Sequence, residues 1–463
     1  MKMKTAWENY DEVQRQTLER LCAGYRAYLD AGKTERECVT AAIALAKAAG
    51  YRDLAALRAA DEKIGPGSKV YASCMGKALL LFQLGSLPLT RGMRILGAHI
   101  DSPRLDLKQR PFYEESGIAY LDTHYYGGIK KYQWLASPLA IHGVIVKKDG
   151  SSICLALGEQ PDDPVFCISD LLPHLAQEQV QKKAAQVIEG ENLDLICGSI
   201  PLQGEEKNAV LANVLRLIAE RYGVGEEDFV SAELEIVPAG PAREAGFDRS
   251  MILAYGQDDR VCAYTSLVSL LDAATPQQTA CCYLVDKEET GSIGATGAQS
   301  AFFENTVAEL MELAGCYSEL ALRRALAASC ALSSDVSAAY DPLFGDVYSK
   351  RNSAFLGGGL AFNKYTGSRG KNGSNDANAE YLGEIRRLLD AAQVCYQTAE
   401  MGKVDAGGGG TISYLLAKYG MQVVDCGVPV ISMHAPWELT SKADIFEAKR
   451  GYDAFLAATA AHK

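Results

Sequence analysis

The sequence predicts an α/β fold, in which a mixed sheet flanked by helices is interrupted by an inserted β-rich domain. Short apolar runs bounded by polar residues are typical of buried strands, and residues 281–285 form such a run. Segments with an apolar period near 3.6 lie between these runs and predict helices. Between residues 105 and 246, alternating and aromatic runs replace this pattern and favour antiparallel strands.

The first part of the chain leads to a strand that ends in side chains able to bind a metal ion. Helical periodicity over residues 7–60 predicts two or three helices. Two strands are expected at residues 70–73 and 78–82, after a Gly-Pro-Gly break. The short strand that follows ends at His99 and Asp101.

The β-rich part has its own turn and helix signals. Residues 148–151 predict a hairpin turn, because the glycine there tolerates the positive φ of a tight turn. A helix is expected over residues 208–222. Since 463 residues are too many for one simple core, we predict two domains. The catalytic domain comprises residues 1–104 and 247–463, and the insertion comprises residues 105–246.

The α/β pattern resumes after the insertion. Strands are predicted at residues 251–255, 281–285, 329–332, 422–425 and 428–433, and helices at residues 261–271, 309–326 and 379–389. The glycines 407–410 are expected to open a further helix.

Composition excludes several classes of partner. The net charge of −12 argues against nucleic acid and anionic membrane surfaces. The longest apolar runs are far below the roughly 18 residues that a membrane span needs. The amino terminus lacks the apolar core of a secretory signal, and the 13 cysteines have no Cys-x-x-Cys spacing. We therefore expect a cytoplasmic protein with free thiols and without nucleic-acid or membrane partners.

Carboxylates and histidines collect where predicted strands end. They are His99, Asp101, Asp258, Glu288, Glu289, Asp335 and His434. Because open α/β sheets bind ligands at the carboxyl ends of their strands, we expect these side chains to meet. Each alone has an ordinary explanation, such as a solvated acidic turn, a core histidine or a helix cap. Together they indicate a site, since two of only six histidines fall in the set.

The residue types suit a pair of zinc-like ions. Two imidazoles and three carboxylates suffice when one carboxylate bridges the ions. A further carboxyl is then needed to move a proton from water to the leaving amine. Adjacent Glu288 and Glu289 meet both needs, one as ligand and one as base. Asp101 suits an acceptor that fixes the tautomer of His99.

Several motifs resemble those of the aspartyl aminopeptidase (vacuolar aminopeptidase I) family of di-zinc metallopeptidases. They are GAHIDSP at 97–103, HYYGG at 124–128, DKEETGS at 286–292, SSD at 333–335, KYTGSRGK at 364–371 and SMH at 432–434. The resemblance extends from about residue 70 to residue 450. It implies a zinc-exopeptidase-like catalytic domain and a β-rich insertion used for oligomer assembly.

The resemblance also implies two divalent metal ions per subunit, with zinc preferred and manganese or cobalt as alternatives. One ion would bind to His99, Asp258 and Asp335, and the other to Asp258, Glu289 and His434. It further implies that Glu288 is the general base and that the Asp258–Asp259 peptide is cis. The family often has Asp-Asn at this position, whereas this chain has Asp258-Asp259. This departure leaves the metal ligands intact.

Three other positions keep two interpretations each. Lys364 begins either a flexible surface turn or, as the resemblance implies, a loop near the substrate. Gly409 lies in a run that is either a hinge or a place where the substrate backbone approaches closely. His174 is either a surface or packing histidine or, by the resemblance, a hydrogen-bond donor to the active site of a neighbouring subunit. That role requires a homo-oligomer, at least a dimer, with a tetrahedral dodecamer as the family-like assembly.

We therefore expect a metallo-aminopeptidase that removes the amino-terminal residue, with Asp and Glu as candidates, from peptides. A metal-bridging hydroxide would attack the scissile carbonyl while Glu288 passes the proton to the departing amine. A di-metal carboxypeptidase or deacylase on the same scaffold is the enzymatic alternative. A non-catalytic assembly shell is the non-enzymatic alternative. Loss of a ligand residue would favour that alternative, and no ligand residue is lost in this sequence.

Overall fold

A computed structural model describes residues 5–367, 373 and 375–458. The chain divides into two compact units. The first comprises Met1–Asp101, Ala242–Met433 and Glu438–Lys463, and the second comprises Ser102–Pro241 and His434–Trp437. The assignment of a catalytic and an assembly role to the two domains stays a prediction.

The described chain contains both α-helices and β-strands, with a long run of strands from β2 to β9. The helices are α1 (Glu12–Ala31), α2 (Glu35–Ala48), α3 (Leu54–Ala59), α4 (Ala209–Tyr222), α5 (Gln257–Asp272), α6 (Phe302–Leu313), α7 (Glu319–Ala327), α8 (Ala379–Ala391), α9 (Ser413–Ala417) and α10 (Lys442–Ala457). The strands of the first half are β1 (Arg52–Asp53), β2 (Lys69–Cys74), β3 (Ala78–Gln83), β4 (Met93–His99), β5 (Arg104–Glu115), β6 (Ile118–Tyr126), β7 (Leu139–Val146), β8 (Ser152–Leu157), β9 (Leu195–Gly198) and β10 (Ala232–Pro238). Those of the second half are β11 (Arg243–Ala245), β12 (Met251–Ala254), β13 (Thr279–Val285), β14 (Cys330–Ser334), β15 (Ser337–Ala338), β16 (Leu360–Asn363), β17 (Tyr396–Ala399), β18 (Gln422–Gly427), β19 (Pro429–Ile431) and β20 (Glu438–Ser441).

The first unit is built around a nine-stranded mixed sheet. Its strand order is β1-β2-β3-β13-β4-β14-β18-β16-β17. Strand β4 pairs in parallel with β13 and β14, whereas β3 and β13 are antiparallel. Every residue of β4 and β13 is buried, as expected for central strands covered on both faces. The predicted α/β class with a mixed sheet is confirmed.

One predicted helix is two helices in the structure. The sequence predicts a single helix over residues 309–326, but α6 ends at Leu313 and α7 begins at Glu319. Gly315 has a φ of +68°, which ends the helical conformation. The hydroxyl of Ser318 then accepts the amide N–H of Ala321 at 3.1 Å and caps the next helix. The apolar period continues across this break, and for that reason the pattern alone suggests one helix.

A five-stranded sheet in the first unit, in the order β11-β12-β20-β19-β15, supports the start of α5. Strand β12 pairs antiparallel with β20, with Ala254 opposite Glu438. Because α5 begins three residues after β12, this sheet fixes where the first turn of α5 lies.

The second unit contains a six-stranded antiparallel sheet in the order β8-β7-β10-β5-β6-β9. The predicted hairpin is present between β7 and β8: Lys147 N–H donates to the carbonyl of Ser151, and Gly150 has a φ of +84°. On β8 exposed and half-buried residues alternate, which agrees with a sheet that has one face covered.

Two further observations concern the whole described chain. None of its helices is both long and apolar enough to cross a membrane. All thirteen cysteines lie among the described residues, and each is a free thiol.

Candidate metal centre

Three parallel strands deliver acidic and histidine side chains to one edge of the nine-stranded sheet. Strand β4 ends at His99, β13 ends three residues before Glu288, and β14 is followed directly by Asp335. Because β13 and β14 flank β4 in parallel, their carboxyl ends lie at the same edge. The sequence prediction that these residues meet therefore has a direct geometric basis.

Asp258 reaches the same edge from the first turn of α5. The peptide between Asp258 and Asp259 is cis, as the resemblance implies. The amide N–H of Asp258 donates to the buried carboxylate of Glu438 at 3.0 Å. The side-chain amide of Gln257 donates to the carbonyl of Glu438 at 2.6 Å. Glu438, at the start of β20, thus fixes the backbone turn that carries Asp258. The sequence analysis did not predict this contact.

The structure brings four of the predicted residues together around His99. Ligand atoms of His99, Asp258 and Asp335 lie within 4.8 Å of one another. His99 Nε2 is 3.1 Å from Asp258 Oδ1. Ligand atoms of His99, Glu288 and Glu289 form a second group within the same distance.

Asp101 has a wider role than the sequence predicts. Nδ1 of His99 donates to the backbone carbonyl of Asp101 at 2.9 Å and lies 3.4 Å from its carboxylate. A carbonyl oxygen only accepts, so this contact places the proton on Nδ1 and leaves Nε2 facing Asp258. The carboxylate of Asp101 also accepts the backbone N–H groups of Glu288 and Glu289, at 3.1 and 3.2 Å. One buried residue therefore orients parts of two different strand ends, through its backbone carbonyl at β4 and its carboxylate after β13.

The electrostatics of the site favour a cation. Burial, followed by the nearby charge of Asp259, raises the pKa of Asp335 well above its usual range. Burial likewise raises the pKa of Asp259. Burial opposes a charge on His99, but its hydrogen bonds with Asp101 and Asp258 leave its pKa well above the ordinary value. The carboxylates supply oxygen ligands and the imidazole supplies a nitrogen ligand, and zinc binds both kinds of ligand.

His434 follows β19 and is counted with the second unit. Its backbone has a φ of +65°, and its Nδ1 donates to the carbonyl of Gly128 at 2.9 Å. A Cβ on Gly128 would lie 3.3 Å from that nitrogen, so a larger residue would crowd the contact. Gly128 belongs to the HYYGG motif, but its role toward His434 had no signal in the sequence.

Lys364 lies at a cavity of about 420 Å³ in the first unit, which Arg386 and Tyr396 also line. Its ammonium group is paired with the carboxylate of Asp376 and sits 4.2 Å from the ring centroid of Tyr365. None of the residues lining this cavity belongs to the candidate metal groups. Four residues of the predicted loop, 368–371, lie outside the described residues, and a substrate contact by Lys364 stays a prediction.

Gly409 lies in an irregular segment before α9, which begins at Ser413 rather than directly after the glycines. Its carbonyl accepts the amide N–H of Gly367 at 2.6 Å. A Cβ at this position would lie 3.4 Å from the sulfur of Met401, so the chain packs closely here. A substrate contact by Gly409 stays a prediction.

His174 occupies a single 3₁₀ turn, Pro173–Leu175, in the second unit. The residue is exposed, and so are its neighbours Leu172 and Leu175, at 50% and 68% of full exposure. This exposure fits the surface interpretation of His174 and not packing within its own subunit, and a contact with a neighbouring subunit stays a prediction.

Comparison with known proteins identifies close relatives over the full chain. Residues 28–456 match the family model of peptidase M18, described as aminopeptidase I zinc metalloprotease. A Clostridium acetobutylicum protein named "Probable M18 family aminopeptidase 1" is 60% identical over 454 residues, covering 98% of each chain. The crystal structure of an M18 family aminopeptidase from Thermotoga maritima superposes with a TM-score of 0.94 at 44% identity, covering 98% and 99% of the two chains. The structure of aminopeptidase I from Clostridium acetobutylicum gives a TM-score of 0.90 at 55% identity, with the same coverage.

The geometry predicts that Asp335 contributes to metal affinity. Replacing it in Asp335→Ala should weaken zinc binding at least about tenfold, since even residues that only support a ligand contribute about 10–100-fold. Equilibrium dialysis against zinc measures this change. Asp346→Ala, at an exposed aspartate in the same part of the chain, is the control and should bind zinc as the unaltered protein does. Equal zinc affinity of the two variants would contradict the assignment.

Proposed function

Because the chain belongs to the peptidase M18 family and is a zinc metallo-aminopeptidase, we propose that two zinc ions and Glu288 together remove amino-terminal residues from peptides. The observation that carries this proposal is the group of ligand atoms around His99 at the carboxyl edge of the sheet. The group combines the buried His99 and Asp258 with the half-buried carboxylates of Glu288, Glu289 and Asp335. Four carboxylates around one imidazole fit ions rather than a structural ion pair.

We assign three ligands to each ion, with one carboxylate shared. The first ion takes His99, Asp258 and Asp335, and the second takes Asp258, Glu289 and His434, whose residue types suit a metal ion. Asp258 is the shared ligand, and its anchoring by Glu438 supports a fixed carboxylate at that point. When bound, the ions supply Lewis acidity that activates water and polarises the scissile carbonyl.

Glu288 is assigned the proton transfer. Its carboxylate belongs to the group that includes His99 and Glu289, and its charge acts on Asp335, so it lies beside the ligands. In this role it takes a proton from water and gives it to the nitrogen of the departing amine. The carboxylate of Asp101 holds its backbone N–H and keeps the side chain at this edge.

Lys364 and Gly409 are the proposed substrate contacts. A lysine near the bound peptide would favour an acidic amino-terminal residue, Asp or Glu, by charge complementarity. In the structure Asp376 is the carboxylate partner of Lys364. An acidic substrate side chain would replace one carboxylate by another at that ammonium group.

We further propose that the protein works as a homo-oligomer in a reducing cytoplasm. Thirteen free thiols support the compartment. The exposed leucines beside His174 support burial of that segment against a second copy of the chain. A dimer is the smallest assembly that meets this requirement, and a tetrahedral dodecamer is the family-like arrangement. In such an assembly His174 would donate a hydrogen bond to the developing oxyanion in a neighbouring subunit.

The proposed activity predicts a strict need for a free amino terminus. Short peptides with a free terminus should lose their first residue, whereas the same peptides with an acetylated terminus should remain intact. Mass spectrometry of timed digests, with a panel of first residues, measures both cleavage and preference. Release of the last residue from blocked peptides would instead establish the carboxypeptidase alternative.

The roles of the two adjacent glutamates should separate by substitution. Glu288→Gln should keep two zinc ions per chain while turnover falls about 10²–10⁴-fold, because it removes the proton carrier. Glu289→Gln should lose one ion per chain. Elemental analysis and steady-state kinetics on the same preparations distinguish these outcomes, and exchanged phenotypes would reverse the assignment.

The trans role of His174 predicts complementation between two inactive variants. His174→Ala should lower turnover about 10²–10³-fold with metals retained, because it removes an oxyanion donor. Mixed oligomers of His174→Ala and Glu288→Gln subunits should regain activity, since some sites receive both intact groups. Activity that stays absent despite demonstrated subunit exchange, or a fully active monomer, would refute the proposal.

A further inference from the structure

The loop that carries Glu288 and Glu289 is closed at its base by one buried side-chain pair. Asp286 forms a parallel bridge with Gly297, and its amide N–H donates to the carbonyl of Thr296 at 3.4 Å. The hydroxyl of Thr296 donates to Oδ2 of Asp286 at 2.5 Å. Both side chains are buried, at 0% and 4% exposure. We call the Asp286–Thr296 pair the base clamp.

Between the two halves of the base clamp, the backbone follows an unusual path. Lys287 and Ser292 have φ values of +71° and +61°, in the left-handed region that residues with a Cβ seldom adopt. Within the loop, the amide N–H of Ser292 donates to the carbonyl of Lys287 at 2.6 Å, and that of Gly291 to the carbonyl of Glu288 at 2.9 Å. A short turn of this kind keeps its shape only when contacts outside it determine that shape.

Two side-chain contacts contribute to this support. The carboxylate of Asp101 accepts the N–H groups of Glu288 and Glu289. At the base, the hydroxyl of Thr296 donates to the carboxylate of Asp286, whose pKa is raised by burial and by the neighbouring negative charges of Glu35 and Asp101. Without the hydroxyl, this buried carboxylate would lose its short hydrogen bond and, among the described residues, would keep only the longer ion pair with the ammonium group of Lys287, at 3.6 Å.

We propose that Thr296 is a positioning residue for the reaction: through Asp286, its hydroxyl fixes the loop that presents Glu288. The inference rests on the proposed function, in which Glu288 moves the proton. A bound ion would hold the carboxylate of Glu289 directly, whereas Glu288 depends on the loop for its placement. Loss of the hydroxyl therefore lowers turnover more than it lowers metal binding.

Three substitutions test this proposal. Thr296→Val removes the hydroxyl at nearly constant volume, and Thr296→Ser keeps it. Thr306→Val is the matched control, because Thr306 is also buried and its hydroxyl donates to the carbonyl of Phe302, in helix α6. At saturating zinc, Thr296→Val should lose about 10- to 100-fold in kcat, as expected for a small misplacement of a reacting group, with KM nearly unchanged. Thr296→Ser and Thr306→Val should keep the kcat of the unaltered protein.

A second readout needs neither substrate nor zinc. Hydrogen exchange in zinc-free protein should be faster at the amides of Glu288, Glu289 and Ser292 in Thr296→Val, and unchanged in Thr296→Ser. Thermal unfolding of each variant verifies that the protein is folded. If Thr296→Val does not yield folded protein, Thr296→Ala takes its place in every comparison.

The outcomes separate this inference from the proposed function. Normal kcat and normal exchange in Thr296→Val overturn the inference, and so does an equal loss in Thr296→Ser. If Glu288→Gln is inactive while Thr296→Val is fully active, only the inference fails. If Glu288→Gln keeps its turnover, the base assignment fails and the inference fails with it.

Discussion

Negative charges that are buried side by side are the constraint on which the active edge depends. Carboxylates crowded in a buried site repel one another and lose hydration, so they persist only with a cation or with hydrogen-bond donors. Besides burial, the charge of Asp258 raises the pKa of Asp259, and the charges of Asp259 and Asp258 raise the pKa of Asp335. Asp101 meets the same difficulty by accepting two backbone N–H groups. The zinc of an M18 enzyme therefore satisfies a need that the folded chain creates.

Much of the fold was predictable because it follows from local patterns. Strands β4, β13 and β14 are short apolar runs between polar residues, and the order of these runs indicates a sheet whose strand ends share one edge. The ligand types at those ends follow from the same reasoning. The break between α6 and α7 was not predicted, because the apolar period continues through Gly315 and outweighs a single glycine.

The supporting residues of the site were not predictable in this way. Glu438 holds Asp258 from a strand far along the chain, and Gly128 lies against His434 through its backbone carbonyl. Asp286 opens the DKEETGS motif, yet its partner Thr296 lies outside that motif and is identified only in three dimensions. Periodicity describes which face of an element is buried, whereas these contacts depend on which elements become neighbours. Sequence patterns therefore indicate candidate ligands more readily than the groups that orient them.

The order of the site residues along the chain has a consequence for biosynthesis. His99 ends β4, while Asp335 follows β14, and the larger segment of the second unit, Ser102–Pro241, is encoded between them. On the ribosome, β4 emerges long before β13 and β14, its two parallel neighbours. The strands that flank β4 in the sheet are therefore added late. A nascent chain at that stage offers a zinc ion one imidazole and no carboxylate partner from β14. In the proposed site, a zinc ion therefore gains Asp335 as a ligand only after β14 has been synthesised, and a chain truncated before that point lacks this ligand.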